Sequence, residues 1–238
     1  MREHHDTVVI GGGQAGLAMS AVLQQRGREH VVLERRQVGD RWRTERWESL
    51  RFQFPNWSVE LPGYAYSGED ANGFADWREI VRVIEDYAAS TRAPVRAQTE
   101  ATELRAGDSG FVLSVPDGTI HARQVVVAIG PFQRPRIPDF SKNVAHSVLQ
   151  TDPTRYRCPE DLPDGAVLVV GSGASGCQGE ELLHAGRTVF LSVPGIGASR
   201  GGSAARTSTG GWRRWAASPR RSTASPGGSG LRRPSSPA

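Results

Sequence analysis

Two stretches of the sequence, VVIGGGQAG at residues 8–16 and LVVGSGASG at residues 168–176, are nearly the same. Each is a short apolar run followed by glycines at the spacing Gly-x-Gly-x-x-Gly. An apolar run of this length is typical of a buried strand, and glycines at this spacing are typical of the turn from a strand into a helix. We therefore interpret each stretch as the start of a strand, turn and helix.

The residues around the first stretch predict a complete βαβ unit. Strand Thr7–Ile10 leads through the turn into a helix over Ala15–Arg26, and strand His30–Glu34 comes next. Gly13 has no side chain, so a pyrophosphate can approach the backbone, and the free N–H groups of the helix N-terminus favour a diphosphate. A carboxylate at the end of the second strand, here Glu34, is placed to accept from ribose hydroxyls. The unit therefore predicts a dinucleotide site.

The second stretch predicts another site of the same kind. Strand Val167–Val170, a glycine turn, a helix over Ser175–His184 and strand Thr188–Val193 repeat the order. No acid ends the last of these strands. Because a carboxylate there would repel a 2′-phosphate, its absence favours NADP over NAD. Two dinucleotide sites in one chain predict hydride transfer from a nicotinamide to a bound flavin.

The segment between the two stretches predicts a different arrangement of strands. Asp76 and Glu79 resemble a capping box, which opens a helix that extends to about Ser90. The run Val125–Gly130 predicts a further buried strand that ends in glycine. Short alternating runs predict an antiparallel meander: Thr102–Arg105, Phe111–Val115 and Ile120–Ala122. The expected fold is α/β, with a Rossmann-like domain, an antiparallel β-meander and the start of a second Rossmann-like domain.

Residues 195–238 differ in composition from the rest of the chain. They hold eight arginines, none of the 25 acidic residues and hardly any Leu, Ile, Val or Phe. Such a segment cannot bury enough apolar surface to offset its ordering entropy, so we expect a disordered basic tail. The tail lacks the periodic aromatic residues that would favour a nucleic-acid partner. No apolar run approaches the roughly 20 residues of a membrane span, and no signal segment opens the chain, so we expect a cytoplasmic protein.

Seven segments of the chain carry a resemblance to a known family: VVIGGGQAGLA, VVLERRQVGDRWR, RWESLRFQFPNW, LPGY, VVVAIGPFQRPRIP, YRCPEDLP and VLVVGSGASGCQ. Over about residues 6–193 the sequence resembles the N-terminal half of flavin-containing monooxygenase-like oxidoreductases. This FAD- and NADPH-dependent family includes Baeyer–Villiger and plant indole-pyruvate monooxygenases. The resemblance is greatest to a bacterial branch of flavoprotein oxidoreductases.

The resemblance implies two sets of cofactor-binding residues and no metal site. FAD would be held by Gly11, Gly13, Gln14, Ala15, Gly16, Glu34, Arg35, Arg41, Trp42 and Gly130. NADPH would be held by Gly171, Ser172, Gly173, Ser175 and Gly176. It further implies an incomplete FAD-binding domain at residues 1–160 and the start of an NAD(P)H-binding domain at residues 161–194, with the basic tail after it.

The function implied by the resemblance is that of a flavin-dependent monooxygenase. NADPH would give a hydride to FAD, and O2 would be activated as a flavin C4a-hydroperoxide that oxygenates a small-molecule substrate. Relatives continue after residue 194 with arginines for the 2′-phosphate of NADPH, and we expect a reading-frame change near residue 194 to have replaced that segment here.

Two other functions stay open at this point. One is a non-catalytic, truncated dinucleotide-binding remnant. The other is a flavoprotein like the disulfide reductases, which use a redox-active pair of cysteines. The chain has two cysteines, Cys158 and Cys177, and they do not form a C-x-x-C pair. The spacing of the cysteines therefore argues against the second alternative.

Overall fold

The computed structural model describes residues 2–171, 173–193 and 213–214, and the chain divides into two compact units, Met1–Asp164 and Gly165–Ala238. The helices are α1 Gln14–Gln25, α2 Asp40–Thr44, α3 Trp77–Ser90 and α4 Ala174–His184. None of these helices, taken over the described residues, has the length and apolar character that a membrane crossing requires. The strands are β1 Arg2–Ile10, β2 His30–Leu33, β3 Glu60–Leu61, β4 Tyr64–Ala65, β5 Val95–Arg96, β6 Glu103–Gly107, β7 Gly110–Val115, β8 Gly118–Val127, β9 Val167–Val170, β10 Val189–Ser192 and β11 Arg213–Arg214.

The first unit is built on a mixed sheet with the strand order β5-β2-β1-β8-β7-β6. Strands β5, β2, β1 and β8 run parallel to their neighbours, whereas β8, β7 and β6 form an antiparallel meander. The register places Thr7 beside His30 on one side of β1 and beside Gln124 on the other. Strand β1 is therefore a central strand, and the predicted α/β fold with an antiparallel meander is confirmed.

Helix α3 packs against α1 and α2, and its start and end confirm the prediction. The Asp76 carboxylate accepts a hydrogen bond from the Glu79 backbone N–H at 2.8 Å. The Glu79 carboxylate accepts another from the Tyr66 hydroxyl at 2.9 Å, which ties the first turn of the helix to the preceding segment. Helices α1 and α3 share one cluster of buried residues with the β3–β4 hairpin: Leu17, Ala21, Leu61, Ala75, Ile80, Ile84 and Tyr87.

Strand β8 includes two segments that the sequence predicts as separate strands, Ile120–Ala122 and the run that begins at Val125. Its first half pairs with β1 on one side and with β7 on the other, as far as Ala122. Within the described residues, its second half pairs with β1 alone. The prediction of a separate buried strand over Val125–Gly130 is wrong, because the segment continues β8 and ends at Val127. The segment is also not buried as predicted, since Val127 at its end is 59 % exposed.

The second unit contains the predicted strand, turn and helix. Strands β9 and β10 are parallel neighbours, and α4 connects them. Leu182 and Val189 are buried. Residues Arg213–Arg214 pair antiparallel with β10, since main-chain pairing needs no apolar side chain, and the disordered tail over residues 195–238 stays a prediction. The rest of the tail, and the reading-frame hypothesis, lie outside the described residues.

A buried pair of polar side chains connects α1 to β2. The Ser20 Oγ and His30 Nε2 atoms lie 2.8 Å apart, and the His30 Nδ1 lies 3.0 Å from the Arg28 carbonyl oxygen. Since a carbonyl only accepts, Nδ1 donates to it, and in the tautomer with a single proton on Nδ1 the Nε2 atom accepts from the serine hydroxyl. Neither side chain is exposed.

We predict that Ser20→Ala lowers the free energy of unfolding by about 1–3 kcal/mol, because Nε2 of His30 then lacks a partner in the core. Urea unfolding followed by circular dichroism measures the change. The matched control is Ser109→Ala, at an exposed turn, which should change stability by less than about 0.5 kcal/mol. Equal effects of the two substitutions would contradict a stabilising role for the pair.

A second prediction concerns acid pH and the start of β1. The hydrogen bonds from Arg96 and His5 hold the pKa of Glu3 at about 2, below the usual 4.5. Because the folded-state pKa is the lower one, this contribution is fully present above pH 4.5 and disappears as the pH falls toward 2. We expect Glu3→Gln to cost less than about 1 kcal/mol at neutral pH, since the pair is partly exposed, and nothing near pH 2. Urea unfolding of the wild type and of Glu3→Gln across this pH range measures the difference in stability, and the substitution Glu100→Gln at an exposed position is the control.

Candidate dinucleotide sites

The turn after β1 lies at the carboxyl end of the parallel strands, in contact with both neighbours of β1. The Gly11 N–H donates to the Leu33 carbonyl of β2 at 2.8 Å. On the other side, a β-carbon added to Gly11 would lie 2.6 Å from the Ala128 carbonyl oxygen that follows β8. Gly11 also has a φ of +111°, where side chains are strained. Only glycine therefore fits at this position.

Gly16 and Gly13 serve the turn in different ways. A β-carbon on Gly16 would lie 1.9 Å from the Gly11 carbonyl oxygen, so the absence of a side chain lets α1 begin directly against the turn. Gly13 precedes α1, and no described atom lies within 4 Å of the position of its missing β-carbon. Gln14 and Ala15, the first residues of the helix, are exposed. The helix N-terminus therefore faces open space, where its N–H groups favour an anion.

Glu34 follows β2 and holds the same turn through its carboxylate. Its Oε2 accepts from the Gly12 N–H at 2.8 Å, and its Oε1 accepts from the Arg36 N–H at 3.1 Å. Each carboxylate oxygen has a further lone pair. The predicted acceptor for a ribose thus lies beside the glycine turn before any ligand is present.

Helix α2 brings Arg41 to the turn that follows β8. The Arg41 guanidinium donates to the Phe132 carbonyl and lies 3.6 Å from the position of a β-carbon on Gly130. The Arg41 Nε donates to Glu45 Oε2 at 2.6 Å, and Arg35 Nη2 lies 3.4 Å from Glu45 Oε1. Glu45 therefore positions Arg41 and Arg35, both of which the sequence predicts at the FAD site. The sequence reasoning missed it, although its i,i+4 spacing from Arg41 on a helix is a usable signal.

Trp42 lies on α2 and packs against the cluster of buried residues between α1 and α3. Its ring centroid is 6.4 Å from that of Phe52, and the guanidinium carbon of Arg46 lies 4.8 Å above the ring. Burial, followed by repulsion from Arg41, lowers the pKa of Arg46. These contacts lie on the side of the core cluster and do not involve the glycine turn, so the predicted place of Trp42 along a flavin stays a prediction.

The second site repeats the first glycine of the first site but not the close approach at its third glycine. Gly171 has a φ of +110°, and its N–H donates to the Ser192 carbonyl of β10 at 2.8 Å. Gly173 precedes α4, and no described atom lies within 4 Å of the β-carbon position of Gly173 or Gly176. Ser175 lies in the first turn of the helix. Ser172 lies outside the described residues, so the structure says nothing of its predicted role.

We predict that the glycines of the first turn differ in what an added methyl group costs. Gly16→Ala places a carbon 1.9 Å from a main-chain oxygen and should destabilise the protein by about 1–3 kcal/mol or more. Gly13→Ala adds a carbon into open space at a negative φ and should leave stability within about 0.5 kcal/mol. Thermal and urea unfolding of both variants test the difference, and similar losses at both positions would contradict this geometry.

Comparison with known proteins identifies the family. The family model described as pyridine nucleotide-disulphide oxidoreductase matches residues 8–206. The uncharacterized oxidoreductase CzcO-like of Geobacillus kaustophilus is 41 % identical over 189 residues, which cover 79 % of this chain and 54 % of that protein. An indole-3-pyruvate monooxygenase of Oryza sativa is 30 % identical over 175 residues, which cover 72 % of this chain and 43 % of that protein. The chain thus spans about half the length of the curated relatives it matches.

A solved structure shows the same fold. The flavin-containing monooxygenase from Stenotrophomonas maltophilia superposes with a TM-score of 0.73 and 23 % sequence identity, over 82 % of this chain and 59 % of that one. At this identity the likeness concerns the fold alone. The family model covers most of the sequence, including both glycine turns. The chain therefore belongs to the pyridine nucleotide-disulphide oxidoreductase family.

Proposed function

We propose that this chain is the dinucleotide-binding part of a FAD-dependent NADPH oxidoreductase of the monooxygenase type. FAD binds at the turn after β1, within residues 1–160, and NADPH binds at the turn after β9, where residues 161–194 begin its domain. The repeated geometry of the two turns carries the proposal: Gly11 and Gly171 have φ values of +111° and +110°, and each donates to the following strand at 2.8 Å.

The residues of the first turn fit the adenosine diphosphate part of FAD. The open space at Gly13 and the exposed start of α1 fit a diphosphate. Glu34 keeps free lone pairs for the ribose hydroxyls beside that turn. Arg41, held by Glu45 next to Gly130, adds guanidinium N–H donors at the same end of the strands. Gln14, Ala15 and Gly16 shape the turn.

The residues of the second turn fit the diphosphate of NADPH in the same way. Gly173 borders open space among the described residues, directly before α4. Strand β10 ends in Leu191 and Ser192, without the carboxylate that would bind a free 2′-hydroxyl. The absence of an acid at this position supports NADPH over NADH.

When bound, FAD supplies the chemistry of hydride acceptance from NADPH and of electron transfer to O2. The chain's own residues hold and orient the two dinucleotides: backbone N–H groups contact the diphosphates, and Glu34 fixes the ribose of the first. Such chemistry requires no nucleophilic or acid–base side chain from this part of the protein. The relative from Oryza sativa is named for a monooxygenase activity, which supports that reaction type and a small-molecule substrate.

The two alternatives differ in what they require of the chain. A disulfide reductase activity requires a redox-active cysteine pair, and Cys158 and Cys177 are too far apart in sequence to form a C-x-x-C motif. A non-catalytic dinucleotide-binding protein requires only the turns. Consumption of NADPH and O2 by the flavin-loaded chain distinguishes that function from an oxidoreductase.

We predict that each of two matched substitutions weakens the binding of one cofactor and not of the other. Gly13→Ala should weaken FAD binding at least about ten-fold and leave NADPH binding unchanged, because the added carbon occupies the space of one diphosphate. Gly173→Ala should do the reverse. Quenching of flavin fluorescence measures the first affinity, and titration calorimetry with NADP⁺ measures the second. If the wild-type chain binds neither dinucleotide, or if each variant weakens both equally, the assignment of the two sites is wrong.

A further inference from the structure

Two histidines stand side by side where the central sheet of the first unit begins. His4 of β1 and His121 of β8 are partners in the parallel register of these strands. Their ring centroids lie 4.9 Å apart and their ring planes differ by 26°, so both side chains project from the same face of the sheet. His4 is exposed and His121 is half-buried. Dissolved ions can therefore reach the pair.

The ring nitrogens of this pair are available for a ligand. Among the residues that the structure describes, neither ring has a hydrogen-bond or ion-pair partner. His5, the next residue along β1, differs in this respect, because Glu3 and Glu29 engage its two nitrogens at 2.8 Å and 2.6 Å. A neutral imidazole keeps one nitrogen lone pair. His4 and His121 therefore offer two lone pairs on one face of the sheet.

The separation of the two rings suits a single metal ion. With metal–nitrogen distances of about 2.0–2.1 Å, two neighbouring ligand nitrogens on one ion lie about 3 Å apart. Because each nitrogen lies on the edge of its ring, rings with centroids 4.9 Å apart can bring one nitrogen each to this distance by side-chain rotation. The strand pairing already fixes the two backbones, so binding orders little more than the two side chains.

The surroundings of the pair determine which metals fit. Asp6 lies two residues beyond His4, on the same face of β1. Arg28 and Arg123 each engage its carboxylate at 2.7 Å, so it is not free to act as a third ligand. Over the described residues, no group of three or more His, Cys, Asp or Glu could hold a metal ion. Two imidazoles completed by water favour Zn²⁺, Ni²⁺ and Cu²⁺, whereas Mg²⁺ and Ca²⁺ prefer oxygen ligands.

We propose that His4 and His121 form a two-histidine site for a divalent late first-row transition-metal ion, with Cu²⁺ bound most tightly. His4 precedes Gly11 by seven residues of extended chain, about 23 Å, so the site is separate from the glycine turn and does not depend on a dinucleotide. Neither histidine lies in the seven segments that carry the family resemblance. The bound ion links β1 to β8 and stabilises their pairing by mass action.

Titration calorimetry on the full-length chain, purified without an affinity tag and without flavin, tests the site. Ni²⁺ is the probe and Mg²⁺ is the negative control. The variants are His4→Gln, His121→Gln and the double substitution. His146→Gln removes an imidazole from an exposed position outside the strands and is the matched control. Cys177→Ser removes the exposed thiol, which is another potential metal ligand.

We expect the wild type to bind one Ni²⁺ per chain and no Mg²⁺. Each single substitution in the pair should weaken Ni²⁺ binding at least about ten-fold, because one imidazole alone forms no chelate. The double variant should bind no more weakly than either single variant, since each has already lost the chelate. His146→Gln and Cys177→Ser should bind like the wild type. Saturating Ni²⁺ should raise the Tm of the wild type by at least about 2 °C and leave that of His4→Gln unchanged.

The proposal is overturned if Ni²⁺ does not bind saturably, if Mg²⁺ binds equally well, or if the double variant keeps the affinity of the wild type. It is also overturned if His146→Gln weakens binding as much as His4→Gln, or if Cys177→Ser abolishes it. Circular dichroism checks that the variants are folded. If they are not, proton NMR of the six histidines of the wild type decides: Zn²⁺ should shift the ring signals of two of them, and a shift of none or of all six alike contradicts the site.

Discussion

The contact between Gly16 and the carbonyl of Gly11 determines the arrangement of the first unit. Because α1 begins directly against the turn, its N-terminus lies at the carboxyl end of β1, where β2 and β8 also end. Glu34 then reaches the turn from β2, and Ala128 meets it from β8. A side chain at residue 16 would push the helix away and separate these groups. The close approach of Gly16 to the Gly11 carbonyl thus fixes where Glu34 and Ala128 meet the turn at the carboxyl end of the strands.

The sequence predicts features that depend on local geometry. The glycine turns, β9 and the start of α3 follow from φ angles, spacing and caps within a few residues. The Trp- and Arg-rich segment before α3 was beyond such reasoning. The buried Asn56 holds it by accepting from the Ala75 N–H at 2.6 Å and donating to the Asp70 carbonyl at 2.9 Å, and these partners lie far along the chain. The single strand β8 was divided for the same reason, since its pairing partners lie elsewhere in the sequence.

The residues of the candidate sites also divide into those that local sequence spacing predicts and those that depend on distant partners. Gly11, Gly13, Gly16 and Glu34 could be assigned from spacing because a βαβ unit brings them together by itself. Glu45 could not, because its importance depends on Arg41 and Arg35 approaching it from two different segments. Arg46 and Arg157 come together because the segment after residue 155 returns to the residues that follow α2, where the Arg157 carbonyl accepts from the Glu48 N–H at 2.8 Å. Charge clusters of this kind are properties of the folded chain.

The central pairing of β1 with β8 has a consequence for biosynthesis. Asp6 and Arg123 form an ion pair across this pairing, although 117 residues separate them. During translation, β1 leaves the ribosome long before β8 exists, so one edge of the strand waits without its neighbour. Long-range pairing of this kind slows folding and prolongs exposure of apolar strands. The nascent chain therefore passes through a stage in which β8 does not yet pair with Val8 and Val9.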